Sequence, residues 1–441
     1  MTLSDVQRDQ WIKRLCFGII GLCVIEFLVA TPGVQIRQLP RSTDFASYYL
    51  AGALAEEGIS PYDRGAMLSL AEARHIGFEP YPFLYPPAFA LLMRPLARLE
   101  YGQARQVWML ITTLALMAAL ALTIALVREL AAHFDIKNTS ALWIMLAAFT
   151  AASLNSTGVH NDIRAGSVGI LLYLCWVIIA FALLRQRAWA GGVTLILATF
   201  LKLTPVAVFA WLAWQRRWRW LLAGALVFAI ALAAGLPRWG IGIAGDYWNA
   251  ALLPALGDEF PRPMNQSLDA AWSRLLVPSA LVQSPFDAPQ LKIWLSLLSS
   301  LVLFGFTMQT LRKASRKLHQ LPLALSLIVI AILLLMKITW LHTLTSALFV
   351  WPILITHILK RSEQEFPEAL KTGLWACLGF FLSSAHLPVL WHALRNGPSV
   401  LLINMHLYGL LILWWTCRRV LLWETHKPIR TVPHLGTVDD C

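Results

Sequence analysis

Long apolar runs are the feature of this sequence that most restricts how it can fold. They recur along the 441 residues, and most are about 17–22 residues long, the length that a helix needs to cross the hydrocarbon core of a membrane. Only 14% of the residues are charged, whereas a soluble protein carries roughly 25%. The sequence therefore predicts an all-α integral membrane protein, a multi-pass bundle of about twelve transmembrane segments. The predicted segments lie near residues 15–32, 106–127, 141–155, 167–184, 190–201, 203–214, 218–236, 291–311, 321–337, 343–359, 370–387 and 399–417.

Two of these segments, 190–201 and 203–214, are each only about twelve residues long and too short to span a membrane alone. We interpret them as a broken pair that meets at the sequence Phe-Leu-Lys-Leu-Thr-Pro, residues 200–205. A break at membrane depth persists only where protein covers it or where it lines a watery cavity. With this pair, the main basic clusters fall on one side, and the positive-inside rule predicts that both termini are cytoplasmic.

The remaining organisation is simple. Residues 1–423 are predicted to form one membrane-embedded domain, and residues 424–441 a flexible cytoplasmic tail. Two longer connections, 33–105 and 237–290, are predicted on the extracytoplasmic side. The first apolar run is expected to stay as a helix, because no small-x-small cleavage site follows it. We expect a monomer in a bacterial plasma membrane.

The formal net charge of +12 does not indicate a nucleic-acid partner. The basic residues form short clusters beside apolar runs, and no basic stripe with interleaved aromatics is present. The six cysteines are scattered without a Cys-x-x-Cys pair, so neither a disulfide framework nor a zinc site is indicated. We expect no metal.

The first outer loop has the pattern of short helices rather than of a linker. Aromatic and small residues recur at three- and four-residue intervals in the motif Asp-Phe-x-x-Tyr-Tyr-x-Ala-Gly, residues 44–52. A capping start at residues 42–44 and a stop at Gly58 bound the first helix. A second amphipathic helix is predicted over 64–75, and a third starts at the Pro-Pro pair 86–87. We expect these helices to lie flat at the outer headgroup layer.

Asp44 is the first candidate for chemistry. A carboxylate near a helix N-terminus and a lipid interface can stay ionised and accept a proton from a positioned hydroxyl. The alternative is that Asp44 only caps the helix, which aspartate often does. The two roles do not exclude each other.

Lys202 and His342 are candidates for binding phosphate. A lysine inside an apolar run is costly and usually faces a cavity, and it binds phosphate as a compact charge. The alternative for Lys202 is snorkelling to the interface. His342, preceded by Trp340, is suited to phosphate or sugar oxygens, with a purely structural role as the alternative. We expect Asp44, Lys202 and His342 to share one cavity.

Three further polar side chains on the same side carry groups suited to sugars or phosphate. They are the amides of Asn265 and Gln266 and the guanidinium of Arg274, for which loop capping is the alternative. Together with the preceding candidates, they are expected to converge on one outer face. Glu26, a carboxylate inside the first apolar run, has no assigned role.

Taken together, these motifs resemble glycosyltransferase family 87, the polyprenol-phosphate-mannose-dependent mannosyltransferases of the GT-C superfamily. The resemblance covers about residues 10–420 and implies a GT-C-type bundle. The stretches that carry it are the motif at 44–52, Gly-x-x-Pro-Tyr-Asp at 58–63, Tyr-Pro-Pro-x-x-Ala-Leu-Leu-x-x-Pro-Leu-Ala at 85–97, Lys-x-x-Pro at 202–205, Asn-Gln-Ser-Leu at 265–268 with Arg274, and Trp-x-His at 340–342.

Two positions depart from the family's pattern. Where the family often has Gly-Gln-x-Asn, this chain has Gly166, Ser167, Val168 and Gly169. Where a second histidine often follows the first, this chain has Thr343. These departures leave room for another acceptor or sugar, or for a relative that binds glycolipid without catalysis.

The resemblance implies an inverting transfer of a sugar, with mannose expected, from a polyprenyl phosphate to a hydroxyl of an extracytoplasmic glycolipid or envelope glycan. Asp44 would be the general base, and Lys202, His342 and Arg274 would bind the donor phosphate. No cofactor is implied beyond the lipid-linked donor, which is a co-substrate. The residues implied to bind substrate are Tyr48, Tyr49, Tyr62, Tyr85, Asn265, Gln266 and Trp340.

The rival hypothesis is a transporter or flippase of lipid-linked sugars, which would share the cavity, the broken helix and the basic clusters. Transporters usually show related halves with matching broken helices. This sequence shows one break, and the first loop has no counterpart in the second half. We therefore predict an enzyme with its active site on the extracytoplasmic side.

Overall fold

The computed structural model describes residues 5–31, 43–257, 261–314, 317–385, 394 and 397–426. In these residues the fold is built from helices, and the extended pairing is a single bridge between Asn265 and Trp340. The helices are α1 (Asp5–Ala30), α2 (Thr43–Glu56), α3 (Arg64–Ala73), α4 (Pro87–Ala97), α5 (Tyr101–His133), α6 (Thr139–Leu154), α7 (Thr157–Ala165), α8 (Gly169–Leu184), α9 (Ala188–Leu201), α10 (Val206–Trp214), α11 (Trp218–Trp239), α12 (Ile243–Tyr247), α13 (Leu253–Gly257), α14 (Leu268–Leu276), α15 (Pro289–Lys313), α16 (Leu321–Leu335), α17 (Val350–Ser362), α18 (Phe366–Ser384), α19 (Val400–Ile403) and α20 (Met405–His426). A π-helical turn covers Trp248–Leu252, and 3₁₀ turns cover Leu318–Gln320, Leu341–Ala347 and Gly397–Ser399.

Fewer of the described helices are long and apolar enough to span a membrane than the sequence predicts. Among the described residues, six helical stretches are long and apolar enough to cross a membrane, and a pair bent by 50° makes a seventh. The apolar runs in α8 and α9 form helices of 16 and 14 residues, which are too short to span alone. The expectation of about twelve spans is therefore not confirmed. The six stretches are Tyr101–His133, Thr139–Ala165, Trp218–Trp239, Pro289–Lys313, Leu318–Leu335 and Leu341–Ser362, and the bent pair is Gly397–Ile403 with Met405–Thr425.

Burial separates a central group of spans from a peripheral one. The apolar window of Leu341–Ser362 is 94% buried inside the protein, whereas those of Trp218–Trp239 and Pro289–Lys313 are each 22% buried. Exposed apolar surface on a membrane protein faces lipid, so the last two lie at the periphery of the bundle. The central stretch carries His342 at its beginning.

The predicted break near Lys202 is present. α9 ends at Leu201 and α10 begins at Val206. Between them, Lys202 has extended backbone angles, with φ −161° and ψ 135°. The chain therefore leaves helical geometry at the one lysine in this apolar region, which frees its side chain from the helix surface.

α2 is more deeply covered by protein than the sequence predicts. Every residue from Phe45 to Ala55 is buried, so α2 is a core helix, and the predicted position at the headgroup layer is not confirmed. It packs against α4 so closely that a Cβ at Gly52 would lie 2.8 Å from the backbone of Met93. The small residues of the motif thus serve helix–helix contact, and tertiary packing outweighs the amphipathic pattern.

The other predictions for the loops have mixed outcomes. α3 begins where predicted, because Asp63 accepts a hydrogen bond from the Ala66 amide at 3.0 Å. The third loop helix begins at Pro87. The last helix continues through His426, and Glu424 is 3% exposed. The tail predicted from residue 424 can therefore begin only after 426, and residues 427–441 lie outside the described residues.

Candidate active site

Asp44 and His342 meet at the beginning of two different elements. Asp44 lies in the first turn of α2, and His342 lies in the 3₁₀ turn Leu341–Ala347. Their closest atoms, Asp44 Oδ2 and His342 Nε2, are 3.8 Å apart, and the side chains are 13% and 16% exposed. The pair is therefore nearly enclosed but still reachable, as a site for a hydroxyl group must be.

Lys202 reaches the same place from the break between α9 and α10. Its Nζ donates a hydrogen bond of 3.2 Å to Oγ1 of Thr343, the residue after His342. Asp44 and Asp162 are its carboxylate neighbours. The structure thus brings Asp44, Lys202 and His342 together, as predicted; their chemical roles stay predictions.

The enclosure changes the proton affinity of both charged groups. Burial raises the pKa of Asp44 to about 6, although the Ser167 hydroxyl and the Lys202 ammonium act in the opposite direction. Burial lowers the pKa of Lys202 to about 8, against the attraction of Asp44 and Asp162. Lys202 lies outside the seven candidate spans. A carboxylate with a pKa near 6 is well matched to general-base work near neutral pH.

Asp162, on α7, is a site residue that the sequence reasoning missed. It is 1% exposed, and its Oδ1 accepts a hydrogen bond of 3.1 Å from the amide of Gly169. The signal that could have found it is its position: α7 continues a predicted span, and an ionisable residue inside a span is a functional candidate. Asp162 links the start of α8 to the neighbourhood of Lys202 and Asp44.

Gly169 explains part of the departure from the family's pattern. A Cβ at this position would lie 2.4 Å from Asp162 Oδ2 and 2.5 Å from the carbonyl oxygen of His342. Asp162 therefore fills the space that a longer side chain at 169 would need. The neighbouring Gly166 has a φ of +67°, and its carbonyl accepts a hydrogen bond of 2.8 Å from Trp108 Nε1.

Replacing Gly169 with alanine is expected to lower both stability and activity. The added methyl group must displace either Asp162 or the backbone at His342, and overpacking of this kind costs about 1–3 kcal/mol. A shift of about 1 Å at a reacting group can lower the rate about 10²-fold. Thermal unfolding and initial rates of transfer would measure the two effects. Gly102→Ala is the matched control, because a Cβ there meets no atom within 4 Å, and an equal loss in both variants would contradict the proposed contact.

Three buried polar atoms beside these groups make no hydrogen bond of normal distance and angle among the described residues: Ser167 Oγ, Thr345 Oγ1 and Asp162 Oδ2. Ser167 lies next to Asp44, and Thr345 lies next to Asp162. Buried polar groups are nearly always hydrogen-bonded, and exceptions call for an explanation. The arrangement is suited to receiving the hydroxyl groups of a sugar.

The predicted tyrosines fall into two groups. Tyr48 donates a hydrogen bond of 2.6 Å to Tyr85, and Tyr62 donates one of 2.6 Å to the Tyr85 carbonyl. Burial is the main cause that raises the pKa of Tyr85, and the charge of Asp44 adds to it. Tyr48 and Tyr85 therefore lie beside Asp44, with Tyr62 behind them.

Tyr49 is directed elsewhere. Its hydroxyl donates to the Leu99 carbonyl at 2.8 Å and accepts from Arg74 at 2.8 Å. These contacts fasten α2 to α3 and to the end of α4. A substrate-binding role for Tyr49 stays a prediction that its contacts do not favour.

Asn265 and Gln266 use their amides on the protein itself. Asn265 donates to the Lys337 carbonyl at 3.1 Å and accepts from the Thr339 amide at 2.8 Å. Gln266 donates to the Ile403 carbonyl at 3.1 Å. Both residues are 0% exposed. Asn265 and the backbone amide of Gln266, which donates to the Thr339 carbonyl at 2.7 Å, hold the segment that leads into His342. Substrate binding by Asn265 and Gln266 stays a prediction that these contacts do not favour.

Arg274 is also committed to the protein. It is 0% exposed, and its guanidinium donates to the carbonyls of Arg262 and Asn265 at 2.9 and 2.7 Å and to Asn404 Oδ1 at 3.0 Å. Burial lowers its pKa to about 9. Donor-phosphate binding by Arg274 stays a prediction that these contacts do not favour. Trp340 forms the bridge with Asn265 and is half-buried.

Comparison with known proteins identifies the family of the chain. The model of glycosyltransferase family 87 matches residues 83–337, more than half of the chain. Lys202 lies within this range, whereas Asp44 lies well before it and His342 lies shortly after it.

Three relatives are similar over part of their length. An alpha-(1->3)-arabinofuranosyltransferase of Mycobacterium tuberculosis is 29% identical over 167 residues, 37% of this chain and 36% of the relative. A polyprenol-phosphate-mannose-dependent alpha-(1-2)-phosphatidylinositol pentamannoside mannosyltransferase of Mycolicibacterium smegmatis is 27% identical over 247 residues, 54% of each protein. A polyprenol-phosphate-mannose-dependent alpha-(1-2)-phosphatidylinositol mannoside mannosyltransferase of the same organism is 26% identical over 219 residues, 48% of this chain and 47% of the relative. The matches thus span about half, or less, of the relatives' length. Because the family model covers more than half of the chain, the chain belongs to glycosyltransferase family 87.

Proposed function

We propose that this chain is an inverting glycosyltransferase that moves a sugar from a polyprenyl phosphate to a hydroxyl of an extracytoplasmic glycolipid or envelope glycan. One observation carries the proposal: the carboxylate of Asp44 lies 3.8 Å from His342, in a nearly enclosed site that Lys202 also reaches. The family membership and the polyprenol-phosphate-mannose dependence in the names of two relatives support it.

The proposed reaction is a single displacement. Asp44 accepts the proton of the acceptor hydroxyl, the acceptor oxygen forms a bond to the anomeric carbon, and the bond from that carbon to the phosphate oxygen breaks. Attack from the face opposite the phosphate inverts the anomeric configuration. The polyprenyl phosphate leaves with the bonding electrons, and the Lys202 ammonium stabilises the negative charge that develops on it. The reaction needs no cofactor besides the lipid-linked donor.

His342 has a different proposed role from the one that the family resemblance implies. Its Nε2 faces Asp44 at 3.8 Å, so we assign it to orienting the carboxylate, and we assign the donor phosphate to Lys202. Thr343 stands where the family often has a second histidine, and here it accepts the hydrogen bond from Lys202. Thr343 thus holds the Lys202 ammonium in place, and its presence instead of a histidine is compatible with activity.

The proposed roles predict a bell-shaped dependence of kcat/KM on pH. Asp44 must be deprotonated to act as a base, so activity is expected to rise as pH passes about 6, the pKa of Asp44. Lys202 must be protonated, so activity is expected to fall as pH passes about 8, the pKa of Lys202. Initial rates between pH 4.5 and 10 would measure both limbs. Lys202→Arg should move the alkaline limb upward, because guanidinium stays charged; a profile that is flat across this range would contradict the assignment.

Mannose is the proposed donor sugar, and the acceptor is proposed only as a class. The experiment is a donor panel: membranes that contain the full chain are supplied with radiolabelled polyprenyl-phosphate-mannose or polyprenyl-phosphate-arabinose and with a total lipid extract. Membranes without the chain are the control. A labelled lipid formed from mannose, with inverted anomeric configuration, is the expected result. If product forms from the arabinose donor alone, the donor sugar is arabinose and not mannose. A product that retains the anomeric configuration of the donor would overturn the proposed single displacement.

A further inference from the structure

A second group of charged and aromatic side chains lies on about the last three turns of α20, away from the active site. They line an open surface cavity of about 320 Å³, and the lining residues are Trp415, Arg418, Arg419, Leu422 and Trp423. Their spacing of three, four and eight residues places them on one face of the helix. The proposed function uses none of them.

The cavity is at the opposite end of the bundle from Asp44. α17 follows the 3₁₀ turn that carries His342 and ends at Ser362. Near that far end, the Arg361 guanidinium lies 5.9 Å from the centroid of the Trp423 ring. The length of α17, about 20 Å at 1.5 Å per residue, therefore separates the two sites.

The two arginines of the cavity are held in place by aromatic rings. Arg419 lies 5.3 Å from the Trp415 ring and 5.1 Å from the Trp423 ring, and Arg418 lies 4.6 Å from the Phe306 ring. A guanidinium group stacked in this way presents its edge for planar hydrogen bonding to phosphate, and Arg418 and Arg419 each use part of that edge on protein partners. Stacking thus pre-organises both groups for an anion.

The local charge balance is positive. Arg419 forms an ion pair with Glu368, whereas Arg418 hydrogen-bonds two neutral side chains, Thr310 at 3.0 Å and Gln309 at 3.4 Å. Two guanidinium groups therefore face one carboxylate. In addition, Arg419 Nε is buried and has no hydrogen-bond partner among the described residues.

An apolar stripe continues from the cavity along α18. The Trp375 ring lies 6.3 Å from the Trp415 ring, and exposed apolar side chains lie before and after Trp375 on α18. Residues of this kind at intervals of three and four occupy one helix face, which in a membrane protein faces acyl chains. The side chains are Leu370, Leu374, Leu378 and Phe381.

We propose that this cavity binds the phosphate of an anionic phospholipid, with an acyl chain lying along α18. Tryptophan marks the membrane interface, and basic pockets between helices bind anionic headgroups. A free phosphate ion offers the same charge to the arginines but has nothing to place on the apolar stripe. The lipid is therefore the occupant that fits both halves of the site.

The test uses the purified full chain in a neutral detergent, with bound lipids counted by native mass spectrometry. Phosphatidylglycerol, phosphatidylcholine and inorganic phosphate are added separately, and then phosphate in competition with phosphatidylglycerol. A basic residue near an anionic headgroup contributes about fivefold in affinity. Arg418→Gln should therefore weaken phosphatidylglycerol binding about fivefold, the Arg418→Gln, Arg419→Gln double variant about 25-fold, and phosphatidylcholine binding should not change.

The controls separate this site from general effects. Arg185→Gln is the matched variant, because Arg185 also stacks on an aromatic ring, at 4.9 Å from Phe181, and pairs with a carboxylate, Glu129; it should leave lipid binding unchanged. If the double variant does not fold, the binding measured for Arg418→Gln alone tests the proposal, because this variant keeps the Arg419–Glu368 pair. Equal binding in wild type and variant, equal loss for both lipids, or complete displacement by millimolar phosphate would each overturn the proposal.

Discussion

Replacing Asp44 with asparagine is expected to lower the rate of sugar transfer by about 10²–10⁴-fold, the usual contribution of a positioned general base. Asparagine has the same size and can cap a helix as aspartate does, so α2 should fold and the contact with His342 should persist. What it cannot do is accept the proton of the acceptor hydroxyl. The measurement is the initial rate of labelled product formation at equal expression.

The matched control is Asp63→Asn. Asp63 is also an aspartate at the start of a helix in the same loop, and it accepts a hydrogen bond from the Ala66 amide at 3.0 Å. The account predicts that this variant transfers sugar at nearly the wild-type rate. If Asp44→Asn and Asp63→Asn were equally active, Asp44 would be a helix cap and the base would have to be sought among the other carboxylates, with Asp162 first.

Replacing Lys202 with methionine is expected to lower kcat by about 10²–10³-fold, the range found when one group that stabilises a developing negative charge is removed. Methionine keeps the length and apolar stem of the side chain but removes the ammonium that interacts with Asp44 and Asp162. The leaving phosphate would then develop its charge beside two carboxylates with no cation to offset it. Single-turnover rates at saturating donor would isolate this effect from binding.

A second readout tests whether Lys202 binds phosphate at all. Free polyprenyl phosphate is the leaving group of the proposed reaction and should inhibit the wild type as a product. Lys202→Met should lose this inhibition, whereas Lys360→Met should keep it, because Lys360 is a buried lysine paired with Glu363 at 2.7 Å near the far end of α17. Unchanged inhibition in Lys202→Met would show that the ammonium only snorkels toward the interface.

The residues of this site that could be predicted are charged side chains in or near apolar runs, where burying a charge is energetically costly. Lys202 interrupts an apolar run and Asp44 follows one, and each such residue needs a reason to be there. The helix break at Lys202 could be predicted for the same kind of reason, since neither half-segment is long enough to span. Element lengths and isolated charges are properties of the local sequence, so they can be read without knowing what packs against them.

The part that could not be predicted depends on distant contacts. The sequence pattern of α2 fits a surface helix, but its burial is decided by the approach of α4 at Gly52. The position of Asp162 also depends on a distant contact, because its carboxylate fits the site only in the absence of a side chain at Gly169. The polar motif at Asn265 indicates hydrogen bonding but not the partner, and here the partner is the backbone before His342.

The most direct test of the central claim is the stoichiometry of the leaving group. Purified full chain in liposomes is supplied with doubly labelled polyprenyl-phosphate-mannose and acceptor lipid extract, and both free polyprenyl phosphate and mannosylated product are counted during the first turnovers. The account predicts that the two appear in equal amounts and at the same rate. Donor that crosses the bilayer intact, with no polyprenyl phosphate released, would instead identify the chain as a transporter of lipid-linked sugars.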